Sequence, residues 1–474
     1  MIPAPWLLRN GPGGASTRPT LASVTGGGRA AGVLLGVVLA VLATAAAPGP
    51  AVVPAPPSPD AALLAGLDPT PSPLPGATQR VACVSPLGGA TDGPAARPWA
   101  QDRLRITDAW RWGRGGGQTV AVVDTGVAPH PRLAGRLLDG GDFVGPGTTG
   151  AADCDGHGTL VAGIVAAAPD PSSGPSGFVG VAPEARILTI RQSSATVAVA
   201  GRDRPGAGDV VTLARAVLRA VDLGATVVNV SEAACLPVAV APRVLAPLRA
   251  AVRDAVDRNV VVVAAAGNAG SGSCVQTDPS GTEEGPAEED QIVAPAWFGD
   301  DVLSVGYVGQ DGRPSPRTVR GPWVSVAAPG TDVVSLSSTG SGLVDRVQPA
   351  GGGTDDPAGA PIEGSSFAAP YVAGVVALVR ARFPALSARQ VTARIVATAA
   401  RGSTAAHDDA VGAGIVDPVA ALSAPLGGPP TVTTAGMEDT AAGRVDLAGG
   451  GDAHSGARTV ALIGTAGAVG LGGL

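Results

Sequence analysis

Three short segments of this 474-residue chain carry groups that can move protons or attack carbon. Thr119-Val120-Ala121-Val122-Val123-Asp124-Thr125-Gly126 is an apolar run closing on a carboxylate, and Asp155-Gly156-His157-Gly158-Thr159 sets an imidazole at a glycine-flanked turn. Glu363-Gly364-Ser365-Ser366-Phe367-Ala368-Ala369-Pro370 leads two hydroxyls into an apolar stretch. A serine hydroxyl is a poor nucleophile until a base takes its proton. Neutral imidazole titrates in the right range for that task. A buried carboxylate holds the ring in the useful tautomer and stabilises imidazolium as it forms. Asp124, His157 and Ser366 read together as acid, base and nucleophile of acyl transfer. Singly, Asp124 reads as a turn carboxylate and Ser366 as a helix N-cap. The four matched contexts, Asn268 included, favour the chemical reading.

Such chemistry also needs donors for an oxyanion. If Ser366 opens a helix, unpaired N–H groups and partial positive charge lie beside it. Ala264-Ala265-Ala266-Gly267-Asn268 ends an apolar run on an amide, so Asn268 is the second donor. The other three histidines, His130 between two prolines, His407 and His454 among polar or glycine-rich residues, read as surface residues.

The elements that must hold these groups alternate. Strands are expected at Val120–Val123, Arg186–Ile190, Thr226–Val230, Val260–Ala265, Val302–Val305 and Val324–Ala327. Helices are expected at His157–Ala168, Val210–Asp222, Val244–Asp257 and Phe367–Arg382. The strand runs are almost continuously apolar, as in strands buried on both faces of a parallel sheet. The alternation implies βαβ units in an α/β fold, whose sites gather at the carboxyl ends of strands. Asp124 and Asn268 both fall at such ends.

Glycine (70) and proline (44) crowd into 48–76, 339–361 and 424–457, leaving about 99–422 as one large domain. Residues 1–47 read as a signal peptide, with Arg9, Arg18 and Arg29 ahead of a short apolar run and Ala43-Thr44-Ala45. Residues 48–76 read as a Pro/Ala-rich linker, 77–118 as an N-terminal extension, 119–422 as the catalytic domain and 423–457 as a second linker. Residues 458–474 form a short apolar tail. Residues 275–295 read as an exposed acidic insertion. The net charge of −7 without a basic stripe, and 3% aromatic residues, exclude a nucleic-acid partner. Four cysteines in an exported chain suggest disulfides, for which three pairings exist. Cys83–Cys154 is expected to staple the extension beside the histidine loop, and Cys235–Cys274 to join two loops that follow core strands. No short Cys/His spacing suits zinc, and no carboxylate cluster suits calcium, so no metal or cofactor is expected.

Around Asp124, His157, Asn268 and Ser366 the chain resembles the signature blocks of subtilisin-like serine proteases. The resemblance implies a three-layer sandwich with a central parallel sheet and hydrolysis of protein or peptide substrates through an acyl-enzyme. It places the substrate cleft beside Ser231, Glu232, Ala233, Ala265 and Gly267. Glu232 stands where many of these proteases have an apolar residue, which suggests a polar or basic preference. Ser365 replaces the usual Thr and keeps its hydroxyl. A narrower resemblance, to the mycosins of type VII secretion, rests on Trp99-Ala100-Gln101, on Cys154, on Asn229-Val230-Ser231-Glu232-Ala233-Ala234-Cys235 and on the Cys83 extension. It implies an extension that wraps the catalytic domain, a membrane secretion complex as partner, and a catalytic domain outside the cytoplasm. It also implies a C-terminal membrane anchor, for which Thr459–Leu474 is short and glycine-interrupted. The rival readings are a freely secreted degradative protease and a mainly structural subunit of a secretion complex.

Overall fold

The computed structural model describes residues 54–425 apart from 85, 88–96, 146–148, 171–176, 202–205, 272–273, 276–290, 349–358 and 403–406. The signal segment, the apolar tail, His454, most of 275–295 and part of 339–361 lie outside the described residues. Among the described residues no helix is long and apolar enough to cross a membrane.

Seven parallel strands form the centre: β1 (Thr119–Asp124), β2 (Leu137–Asp142), β3 (Arg186–Arg191), β4 (Val227–Val230), β5 (Val261–Ala265), β6 (Leu303–Val308) and β7 (Val326–Pro329). Their order across the sheet is β7-β6-β5-β4-β1-β3-β2. Every residue of β1, β4, β5, β6 and β7 is buried, as continuous valine and alanine runs require when both faces are covered. Two helix pairs supply the cover: α1 (His157–Ala166) with α4 (Ser365–Arg382), and α2 (Val210–Asp222) with α3 (Ala241–Asp257). The expected α/β sandwich is the architecture found. Strand order reverses around β1, so its carboxyl end opens at a topological switch point.

Local chemistry sets the helix ends. Asp209 caps α2 through a reciprocal box with Thr212, and Ser387 does the same with Gln390 for α5 (Ala388–Ala397). Proline near the start of α3 suits a turn whose N–H groups have no helical partner.

The structure adds elements that the periodicity did not reveal. Strand β2 contains Gly140 and Gly141, whose lack of side chains hides it. Within the run expected to be an exposed insertion, Gln291–Ala294 instead pairs antiparallel with Ala234–Pro237, and Ile292, Val293 and Ala294 are buried. Cys235–Cys274 ties down this strand pair, and Cys83–Cys154 joins the extension to the histidine loop.

The Pro/Ala-rich segment expected as a linker is docked from residue 54 onward. Trp297 Nε1 donates to the Pro54 carbonyl at 2.9 Å, and Arg215 donates to the carbonyls of Asp68 and Thr70. Further along, Thr78–Gln79 pairs with Val197–Ala198, and Pro86–Leu87 pairs with Arg346–Val347. Trp99 Nε1 and Trp110 Nε1 donate to the carbonyls of Thr331 and Val181.

Candidate active site

Strand β1 ends on Asp124, whose Oδ1 accepts the Thr125 N–H at 2.7 Å and lies 2.7 Å from His157 Nδ1. His157 is the first residue of α1, and the glycine after it has a steric reason. A Cβ on Gly158 would fall 1.9 Å from the Gly126 carbonyl oxygen. Asp153 locks the acid and base loops together. Its carboxylate accepts from the Thr125 and Thr159 hydroxyls at 2.8 and 2.6 Å, and from the Gly156 and Thr159 N–H groups at 2.8 Å each. The residue after the acid and a residue of the base's helix thus share one anchor.

Ser366 is the second residue of α4. The Ser365 hydroxyl donates to Asn268 Oδ1 at 2.9 Å, the Ser365 N–H donates to the same oxygen at 2.8 Å, and Gly267 N–H donates to Ser365 Oγ at 3.1 Å. With Oδ1 held twice, the Asn268 amide nitrogen is directed elsewhere. A Cβ on Gly364 would lie 3.0 Å from Asn268 Nδ2 and 3.3 Å from Ser366 Oγ, and the backbone there has φ +145°. Amide and hydroxyl therefore face one small space that glycine leaves open, at a helix N-terminus, where negative charge is favoured. The Phe367 ring centroid is 4.9 Å from that of His157, bringing the serine turn against the base. His157 Nε2 and Ser366 Oγ are both buried and hydrogen-bonded to no other residue.

Pro370 stands four residues after Ser366 and has no N–H, so the Ser366 carbonyl lacks its helical donor. The Ser231 hydroxyl takes that place at 2.8 Å and itself accepts from Asn229 Nδ2 at 2.8 Å. Of the five residues expected along the cleft, Ser231 thus lies beneath the serine turn, Gly267 holds Ser365, Ala265 ends β5 in the core, and Ala233 alone is half-buried. Glu232 departs most from expectation. It faces neither solvent nor an open pocket: its side chain is fully enclosed, and Oε1 accepts the Ser193 hydroxyl at 2.8 Å. One donor atom each from Asp124, His157 and Glu232 lie within 4.8 Å of one another. A buried carboxylate has no periodic signature, so a lone Glu between small residues reads as a solvated one.

Burial lowers the His157 imidazole pKa, but the charge and hydrogen bond of Asp124, with Glu232 and Asp153 behind, outweigh it and raise the pKa overall. Burial raises the Glu232 carboxyl, and the nearby Asp124 charge adds to the rise. His130, expected at the surface, is buried: its Nδ1 accepts the Arg132 N–H, and Nε2 lies 3.3 Å from the Gly342 carbonyl. His407 is exposed, as expected, beside Asp409. Three supporting residues escaped the sequence reading: Asp153, Ser231 in its actual position, and Ser365 as the holder of Asn268. Pro370, at its distance of four from Ser366, was the available signal for Ser231.

The Subtilase family model matches residues 115–414. Mycosin-4 of Mycobacterium tuberculosis is 48% identical over 358 residues, covering 74% of this chain and 75% of the relative. Mycosin-1 of the same organism is 45% identical over 359 residues, covering 73% and 77%. The crystal structure of MycP1 from the ESX-1 type VII secretion system superposes with a TM-score of 0.69 at 40% identity, covering 78% of this chain and 96% of that one. A chain of an intact ESX-5 inner membrane complex matches with a TM-score of 0.68 at 38% identity, covering 84% and 94%. A parallel sheet with Asp124, His157 and Ser366 gathered at one end, and this degree of likeness over three quarters of the chain, lead to one conclusion: the chain belongs to the subtilase family of serine proteases, among the mycosins.

Proposed function

We propose that the protein is an exported endopeptidase that cleaves peptide bonds through an acyl-enzyme on Ser366. His157 takes the Ser366 proton as Oγ attacks the scissile carbonyl, and Asp124 stabilises the imidazolium. Asn268 Nδ2 and N–H groups at the start of α4 receive the oxyanion in the space above Gly364. The imidazolium then protonates the leaving amine, and water releases the acyl group by the same steps. The observation that carries this reading is the enclosed 2.7 Å contact of His157 with Asp124, beside a serine turn whose glycine leaves room for an oxyanion. A fluorophosphonate probe tests it: labelling is expected on Ser366 and is expected to vanish in Ser366→Ala and His157→Ala. Labelling indifferent to both substitutions overturns the assignment.

A second, separable role is assembly into a type VII secretion membrane complex, with the catalytic domain outside the cytoplasm. Its support is the match to a chain of the ESX-5 inner membrane complex. Secretion that persists in Ser366→Ala and fails only on deletion of the whole protein would make assembly the main task. Release of soluble enzyme into the medium would count for a free degradative protease instead.

A further inference from the structure

Glu232 is a buried acid that the acyl-transfer steps above do not use. It follows β4, whose Val230 is in register with Val123 of β1, so the chain leaves the sheet beside Asp124. The groups facing it are Asp124 from β1, His157 and Asp155 from the histidine segment, and the Ser193 hydroxyl from the loop after β3; the His157 imidazole, already engaged by Asp124, is the one among them that can carry a positive charge. Ser193 satisfies Oε1, whereas Oε2 is buried without a partner. Asp124 is in the same position, because Thr125 and His157 engage Oδ1 and leave Oδ2 buried and unpaired. Two enclosed carboxyl groups each thus have one idle oxygen, in a cluster no wider than 4.8 Å between donor atoms. Two adjacent buried carboxylates that share one imidazole are costly, and a proton on Glu232 removes one charge and supplies a donor for an idle oxygen.

We propose that Glu232 is a positioning residue of the catalytic site, a neutral carboxylic acid whose O–H is shared with Asp124 and holds the triad acid in place. The proton is acquired from solvent and is not consumed in turnover. When the Ser366 proton reaches His157, the pair presents one negative charge to the imidazolium, not two. An ionised Glu232 would add a second charge, keep His157 protonated and withdraw the base. The upward push of burial and of Asp124 on the Glu232 carboxyl acts in the direction that neutrality requires. The inference rests on the serine-protease reading, and its test includes a readout that does not depend on turnover.

The full chain, Glu232→Gln and Glu232→Leu are compared by kcat, KM and the pH profile of kcat/KM on a panel of peptides. Glutamine keeps an acceptor for Ser193 and a neutral N–H donor for Asp124, so kcat within about threefold of the parent and an unmoved acid limb are expected. Leucine removes the donor to a charged group, and kcat is expected to fall about 10–100-fold with little change in KM. An acid limb displaced by a pH unit or more in Glu232→Gln overturns the proposal, because the working enzyme then carried an ionised Glu232. So does an undiminished kcat in Glu232→Leu, or an effect confined to the KM of peptides with basic side chains. If the leucine variant does not fold, infrared difference spectra of the parent against Glu232→Gln at neutral pH decide. A protonated-carboxyl band lost in the variant is expected, and its absence in the parent refutes the proposal. That band is legible even if the peptidase assays fail, which separates the two readings.

Discussion

Each hydrogen-bonding role of the Ser365 hydroxyl is committed, one to Asn268 and one to the Gly267 N–H. Through that link the residue next to the nucleophile sets where the oxyanion donor points. Threonine has the same hydroxyl, so Ser365→Thr is expected to retain activity. Ser365→Ala frees one of the two holds on Asn268 Oδ1 and is expected to lower kcat about 10-fold, a loss near that of one hydrogen bond. Asn268→Ala removes the donor itself and is expected to cost about 10²–10³-fold in kcat. Steady-state kinetics on one peptide checks the order; an Ser365→Ala variant as damaged as Asn268→Ala would mean that Ser365 does more than orient. The sequence disclosed the reacting residues because their types and contexts are restrictive. It placed Glu232 beside the cleft but did not disclose its burial, because a buried and a solvated glutamate are spelled alike.

At the scale of elements, α4 carries a break in its own ladder at Pro370, and Ser231, the residue after β4, repairs it. Ser231→Ala strands the buried Ser366 carbonyl and is expected to destabilise the fold by ~1–3 kcal/mol. Pro370→Ala restores a helical N–H for that carbonyl, so the double variant is expected to recover part of the loss. Chemical denaturation of the four proteins gives the coupling; additive effects would show that the two residues do not serve one carbonyl. Legibility followed the same physics. Val210–Asp222 was readable to both ends because Asp209 caps it and its apolar face is periodic. Strand β2 and Gln291–Ala294 were not, since one is interrupted by glycines and the other follows an acidic run. Their places are set by partners distant in sequence, which no local window contains.

For the molecule as a whole, three buried ionisable groups at the site, His157, Asp155 and Glu232, bias stability the same way. His157 is raised above 6.5 because Asp124 outweighs burial, so its contribution is complete below 6.5 and is lost as pH rises through the raised value. Asp155 and Glu232 are raised by burial above 3.8 and 4.5, and their contributions likewise fade with rising pH. Thermal unfolding is therefore expected to show a falling Tm from about pH 6 to 9, with a slope of up to ~1.4 kcal/mol per pH unit for each proton released. His157→Gln is expected to flatten the alkaline part; an unchanged slope would remove His157 as its source. Catalysis needs the neutral imidazole, so kcat/KM rises over the range in which stability falls. The docked extension has a consequence of another kind. Two short strand pairings and a few tryptophan bonds would make a weak ligand if the segment were a separate peptide. Joined to the body by the chain at one point and by Cys83–Cys154, 71 residues apart, at another, it meets its groove at an effective concentration on the order of mM. Its grip is thus a property of the tether more than of the surface it covers.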